Sequence, residues 1–134
     1  MIDVFTREIV GVNISRYHNR FLVIGAVDEA LKTHAAPQIV HSDQGSEYDS
    51  ADFVMLIDGL GAKLSMSAKG APWQNGYKES FYSHFKAEAG DLDRFGTLGE
   101  LVEFIYQHIF YYNHRRIHSA LKMPPVQFRT RHGV

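Results

Sequence analysis

A chain of 134 residues with 45% apolar and 22% charged residues is long enough for one domain with a real core and too short for two. No apolar run reaches the about 18 residues of a membrane span, Met1 opens no signal peptide, and the lack of cysteine excludes disulfides and thiolate metal sites, a composition that suits the cytoplasm. Net charge is −1, but it is unevenly placed: residues 1–67 carry 5 Lys/Arg against 9 Asp/Glu, and residues 68–134 carry 9 against 6, so the second half could face a polyanion while the first holds carboxylates.

Ile2–Phe5 and Arg7–Ile14 are rich in β-branched residues and read as a hairpin of two strands. Asn19 can cap a helix from about Arg20 to His34, with Leu22, Val23, Ala26, Val27, Ala30 and Leu31 as its apolar stripe and Pro37 as its stop. Gln38–His41 is a short strand running into Ser42-Asp43-Gln44-Gly45. Ser50 opens a helix that turns Phe53, Leu56, Ile57 and Leu60 inward, and Lys63–Ser67 alternates as a strand. Ala68–Gly76, with Gly70, Pro72 and Gly76, is a loop. A helix follows from about Gly76 to Ala89. Thr97 and Glu100 then form a capping box for a helix striped by Leu98, Leu101, Val102, Ile105, Ile109 and Tyr112, and Pro124-Pro125 marks the end of helix. Strands alternating with helices indicate a single mixed α/β domain over residues 1–134.

Two acids stand out. Asp43 follows a buried-looking strand, where ligand chemistry gathers in open α/β sheets; it could ligate a metal or simply close an Asx-turn. Glu79 lies in the first turn of a helix, where it could ligate a metal or answer the helix dipole. Ser83 and Lys86 share its face, while Phe81, Phe85 and Ala89 look inward. Trp73 could stack on DNA or anchor its loop. Gln74 and Asn75 could touch sugar and base edges or form the turn. Tyr112, Asn113, Arg115, Arg116 and His118 could bind phosphates or finish a helix, with Arg116 favoured for DNA and Asn113 and His118 for structure. His114 and His118 have zinc spacing, but a helix end accounts for them better. His41 points to the same side of its strand as Asp43.

The stretch Ile39-Val40-His41-Ser42-Asp43-Gln44-Gly45-Ser46-Glu47-Tyr48 resembles the second-aspartate motif of insertion-sequence transposases with a retroviral-integrase-type core. Ser67 to Phe81, through Pro72-Trp73-Gln74-Asn75-Gly76-Tyr77-Lys78-Glu79, is similar to that family's loop and glutamate helix. Tyr111-Tyr112-Asn113-His114-Arg115-Arg116-Ile117-His118 followed by Pro124-Pro125 resembles its C-terminal signature, and Ile2–Gly11 its second and third strands.

The resemblance implies a ribonuclease-H-like mixed sheet flanked by helices, and two-metal phosphoryl transfer on DNA with Mg²⁺ or Mn²⁺. It makes Asp43 the second aspartate, Glu79 the glutamate, and Lys86 a DNA contact near the scissile phosphate. It also implies partners: transposon ends, target DNA and further copies of the chain. The family's first aspartate lies on a strand upstream of residue 1, and Asp3 is not assigned its role. The expectation is therefore a partial core lacking its first, central strand. Alone it would turn over no DNA and be poorly stable unless another chain completes the sheet; a cooperatively melting monomer would contradict that. The alternatives are a catalytically incomplete fragment that only binds DNA, and a ribonuclease-H-like nuclease of another kind, which the C-terminal signature speaks against.

Overall fold

The computed structural model describes the backbone of residues 1–134 and every side chain but that of Pro72. The helices are α1 (Arg20–Leu31), α2 (Ala51–Gly59), α3 (Gly76–Ala89), α4 (Leu98–His114) and α5 (Pro125–His132); the strands are β1 (Ile39–Ser42) and β2 (Lys63–Met66). Among the described residues no helix is long and apolar enough to cross a membrane. The chain gathers into two compact units, Met1 with Val10–Glu79, and Ile2–Ile9 with Ser80–Val134.

The first unit is a βαβ element with one more helix. Asn19 caps α1, its Oδ1 accepting from the Phe21 amide at 3.0 Å, and Ser50 caps α2 through the Phe53 amide at 3.4 Å. Helical spacing puts Val23, Val27 and Ala30 of α1 on one buried face, and Phe53 and Ile57 of α2 on another; the last two are 1% exposed. Val40 and Ala62 complete this core, in which each buried Val, Ile or Phe side chain contributes about 1.5–3 kcal/mol by leaving water. Gly11 admits the close approach of α1: a Cβ there would lie 2.1 Å from the Ala26 carbonyl oxygen.

β1 and β2 pair in parallel, Val40 opposite Leu64 and Ser42 opposite Met66. Two parallel strands need a crossover, which α2 provides. Pairing continues one residue further, where the Ser67 amide donates to the Ser42 carbonyl at 2.8 Å. The carboxyl ends of both strands thus open at the same edge, with Asp43 next on one chain segment and Ser67–Ala71 next on the other. That edge places the site. On the exposed side of β1, the His41 ring is held between Ser65 Oγ and Ser67 Oγ, each 3.0 Å from a ring nitrogen.

The second unit is held by aromatic rings. Phe81 and Phe85 of α3 meet Phe104, His108 and Tyr112 of α4; Phe81 and Tyr112 are 5.1 Å apart edge to face, and Phe85 and His108 5.2 Å. The predicted capping box is present, Thr97 Oγ1 accepting from the Glu100 amide at 3.2 Å. Tyr112 is 4% exposed, and this burial raises its phenol above the usual tyrosine value.

Two expected elements differ. The opening hairpin is reduced to a single antiparallel bridge, Ile2 with Ile9. Asp3 Oδ1 accepts from the Phe5 and Thr6 amides and the Thr6 hydroxyl, and Arg7 adopts φ 63°, so the turn consumes the residues that would have extended the ladder. The Asn113 side chain continues the pairing instead: its Oδ1 accepts from the Ile9 amide and its Nδ2 donates to the Ile9 carbonyl, both at 2.9 Å. Second, Pro124-Pro125 does not end the helical part of the chain. Pro125 is the first residue of α5, where a missing amide hydrogen costs nothing and the ring presets φ.

Candidate functional site

Asp43, Gly45, Glu47, Ser67, Lys69, Asn75 and Glu79 are among the residues around a cavity of about 600 Å³ at the carboxyl ends of β1 and β2. Asp43 is the first residue beyond β1. Its Oδ1 accepts from the Gly45 amide at 3.0 Å, so the Asx-turn reading holds. The turn leaves Oδ2 available, and Lys78 Nζ donates to it at 2.7 Å. That ammonium holds the Asp43 carboxyl below its usual pKa; burial opposes it, and the Gly45 amide adds to it.

Glu79 reaches the same cavity from the first turn of α3. The two acids, with thirty-five residues between them in the chain, therefore face one space. Lys78 is one residue that sequence reasoning missed. A cation in the first turn of a helix opposes the macrodipole, which was a sign that it answers a charge elsewhere. Glu47 was missed too. Its carboxylate folds back over Gly45, with Oε1 3.2 Å from His18 Nε2.

Around the cavity, Asn75 is a lining residue, and Gln74 makes the loop: its Oε1 accepts from the Ala68 amide at 2.7 Å. Trp73 is 75% exposed, so it does not anchor the loop by packing. In the second unit, Lys86 and Arg115 are exposed. Arg116 donates to Glu88 and, at 3.0 Å, meets His84 Nδ1, which joins it to α3. Asn113 serves the structure, as expected, though through the Ile9 backbone and not as a helix cap. The His114 ring stacks on Phe110 at 4.4 Å between centroids.

The donor set suits a hard divalent cation: the acids around the cavity offer oxygen only, and one buried oxygen of Glu47 has no hydrogen-bond donor among the described residues.

The fold has solved counterparts. The catalytic core domain of HTLV-2 integrase, solved in complex with magnesium, superposes with a TM-score of 0.66 at 17% identity, covering 95% of this chain and 80% of that one. The likeness defines a ribonuclease-H-like α/β fold. A family model described as integrase core domain matches residues 1–72, and a second of the same description matches residues 60–125. The transposase for insertion sequence element IS904 of Lactococcus lactis is 42% identical over 123 residues, which are 90% of this chain and 49% of that protein. The putative transposase InsK for IS150 of Escherichia coli is 34% identical over 134 residues, 97% of this chain and 47% of that protein. The chain belongs to the integrase core domain family. It spans about half the length of these curated relatives.

Proposed function

We propose that this chain is the catalytic-core portion of a transposase that cuts and joins DNA by metal-dependent phosphoryl transfer. The observation that carries the reading is the single cavity faced by Asp43 and Glu79 at the ends of two parallel strands. Asp43 and Glu79 would hold the Mg²⁺ or Mn²⁺, whose chemistry when bound is Lewis-acid activation of the attacking and leaving oxygens. The third acid that the resemblance calls for is assigned to no residue of this chain.

The chain's own groups do the rest. Asp43 is kept ionised by Lys78 and fixed in direction by the Gly45 amide. Lys69 and Asn75 line the cavity and would hold a phosphate and a sugar edge. Trp73, exposed on the same loop, offers a face for a base to stack on, and Gln74 shapes that loop. Lys86 and Arg115 would supply phosphate contacts of their own, making DNA binding sensitive to salt. Arg116 would add to them only by sharing its bond to Glu88. The substrates would be transposon ends and target DNA, and the working form an oligomer.

The test is cleavage and joining of DNA ends, with Mg²⁺ or Mn²⁺, by a transposase polypeptide containing these residues. Asp43→Asn and Glu79→Gln should each abolish both steps while DNA binding persists. Full activity in either variant refutes the assignment. DNA binding with no strand cleavage even before substitution supports the alternative, a core that only binds DNA.

A further inference from the structure

Glu47 is the least solvated acid at the cavity. Its side chain is 9% exposed, against 45% for that of Asp43. It rides on a turn closed by the Tyr48 amide donating to the Gly45 carbonyl at 3.0 Å. The turn lays the carboxylate against the α-carbon of Gly45: a Cβ there would lie 2.7 Å from Oε1 and 2.9 Å from Oε2. Gly45 is therefore the residue that lets this carboxylate lie where it does. Oε1 has His18. Oε2 is buried and finds no donor among the described residues.

A buried carboxylate oxygen without a donor is costly, and proteins keep one mainly where something else satisfies it. The cations nearby do not. Lys78 donates to Asp43, His18 faces Oε1, and Lys69, which also lines the cavity, makes no bond to Oε2. Among the described residues no three His, Asp or Glu side chains close on one point as a complete metal shell. A cation held here by few protein ligands keeps several of its waters, and those waters need acceptors.

We propose that Glu47 is a positioning residue for the divalent cation, accepting hydrogen bonds from that cation's water shell while Asp43 and Glu79 hold the ion. The inference rests on the reading of Asp43 and Glu79 given above. It predicts that the charge of Glu47 matters, and also its placement over Gly45.

The experiment is Mn²⁺ titration of the chain, followed by water-proton relaxation, with a thermal melt of each variant without metal. Glu47→Gln, which keeps the shape and removes the charge, should weaken Mn²⁺ binding by about tenfold or more and leave the metal-free melt unchanged. Gly45→Ala keeps all three carboxylates but crowds Glu47 out of place, and should weaken binding in the same direction. Mn²⁺ affinity in Glu47→Gln within twofold of the parent chain, while Asp43→Asn weakens it, overturns this role and leaves the site standing. Mn²⁺ affinity unchanged by Asp43→Asn and by Glu79→Gln overturns the site reading and this role together.

Discussion

Replacing Lys78 by methionine removes one ammonium and little volume, and its effect can be worked from the geometry. Lys78 Nζ lies 2.7 Å from Asp43 Oδ2, with the two side chains 33% and 45% exposed. At that exposure water screens the pair, so it is worth about 1 kcal/mol or less, not the several that its distance alone suggests. A divalent cation arriving at Asp43 must share the carboxylate with this ammonium or displace it. Lys78→Met should therefore tighten Mn²⁺ binding by up to about fivefold, the equivalent of 1 kcal/mol. The same change should raise the Asp43 pKa toward the ordinary carboxylate value, because the Lys78 hydrogen bond is the largest cause of its depression. In the parent chain that depression stabilises the fold above about pH 4 and is lost as pH falls through the folded-state value. Mn²⁺ titration reads the first effect and carboxyl-carbon NMR titration the second. Weaker Mn²⁺ binding in Lys78→Met, or an unmoved Asp43 titration, would refute the reasoning and make Lys78 an aid to the metal.

Two further outcomes concern the second unit. Asn113→Ala should cost about 2–3 kcal/mol in chemical denaturation, because it strands the amide and carbonyl of Ile9 beside a new void; a loss under 0.5 kcal/mol would show that water replaces the pairing. His108 is buried among Phe81, Phe85 and Phe104, and burial lowers its pKa despite Glu88, 3.1 Å from Nδ1. Below about pH 6.5 the unfolded chain takes a proton that the folded ring resists, so the urea midpoint should fall between pH 7.5 and 5.5 and fall less in His108→Phe. Equal losses in both proteins would remove His108 from the cause.

Signals carried by neighbouring residues were readable in the sequence. The caps at Asn19, Ser50 and Thr97 depend on a side chain and an amide two or three residues on, and all three stand. Asp43 and Glu79 were readable through the pattern around them, although nothing local says that they face one cavity. What failed depended on context. A proline pair stops one helix and starts another by the same stereochemistry, and only the α4–α5 packing decides which. Arg116 looked free for DNA until α3 brought Glu88 beside it. Glu47 carried no signal of its own, because no sequence pattern says that it turns back over Gly45.

The Asn113 amide that reads the backbone of Ile9 has a consequence for how the chain is made. The first unit is nearly continuous, and its core residues have all emerged once Ala62 is synthesised. The second unit takes in residues 2–9, and two of the bonds that secure them, those between Asn113 and Ile9, span 104 positions. During translation that opening segment must wait, with its polar backbone solvated, until α4 has left the ribosome. Closing so long a loop is a late and slow event, so interrupted synthesis yields a settled first unit with residues 2–9 still unsecured.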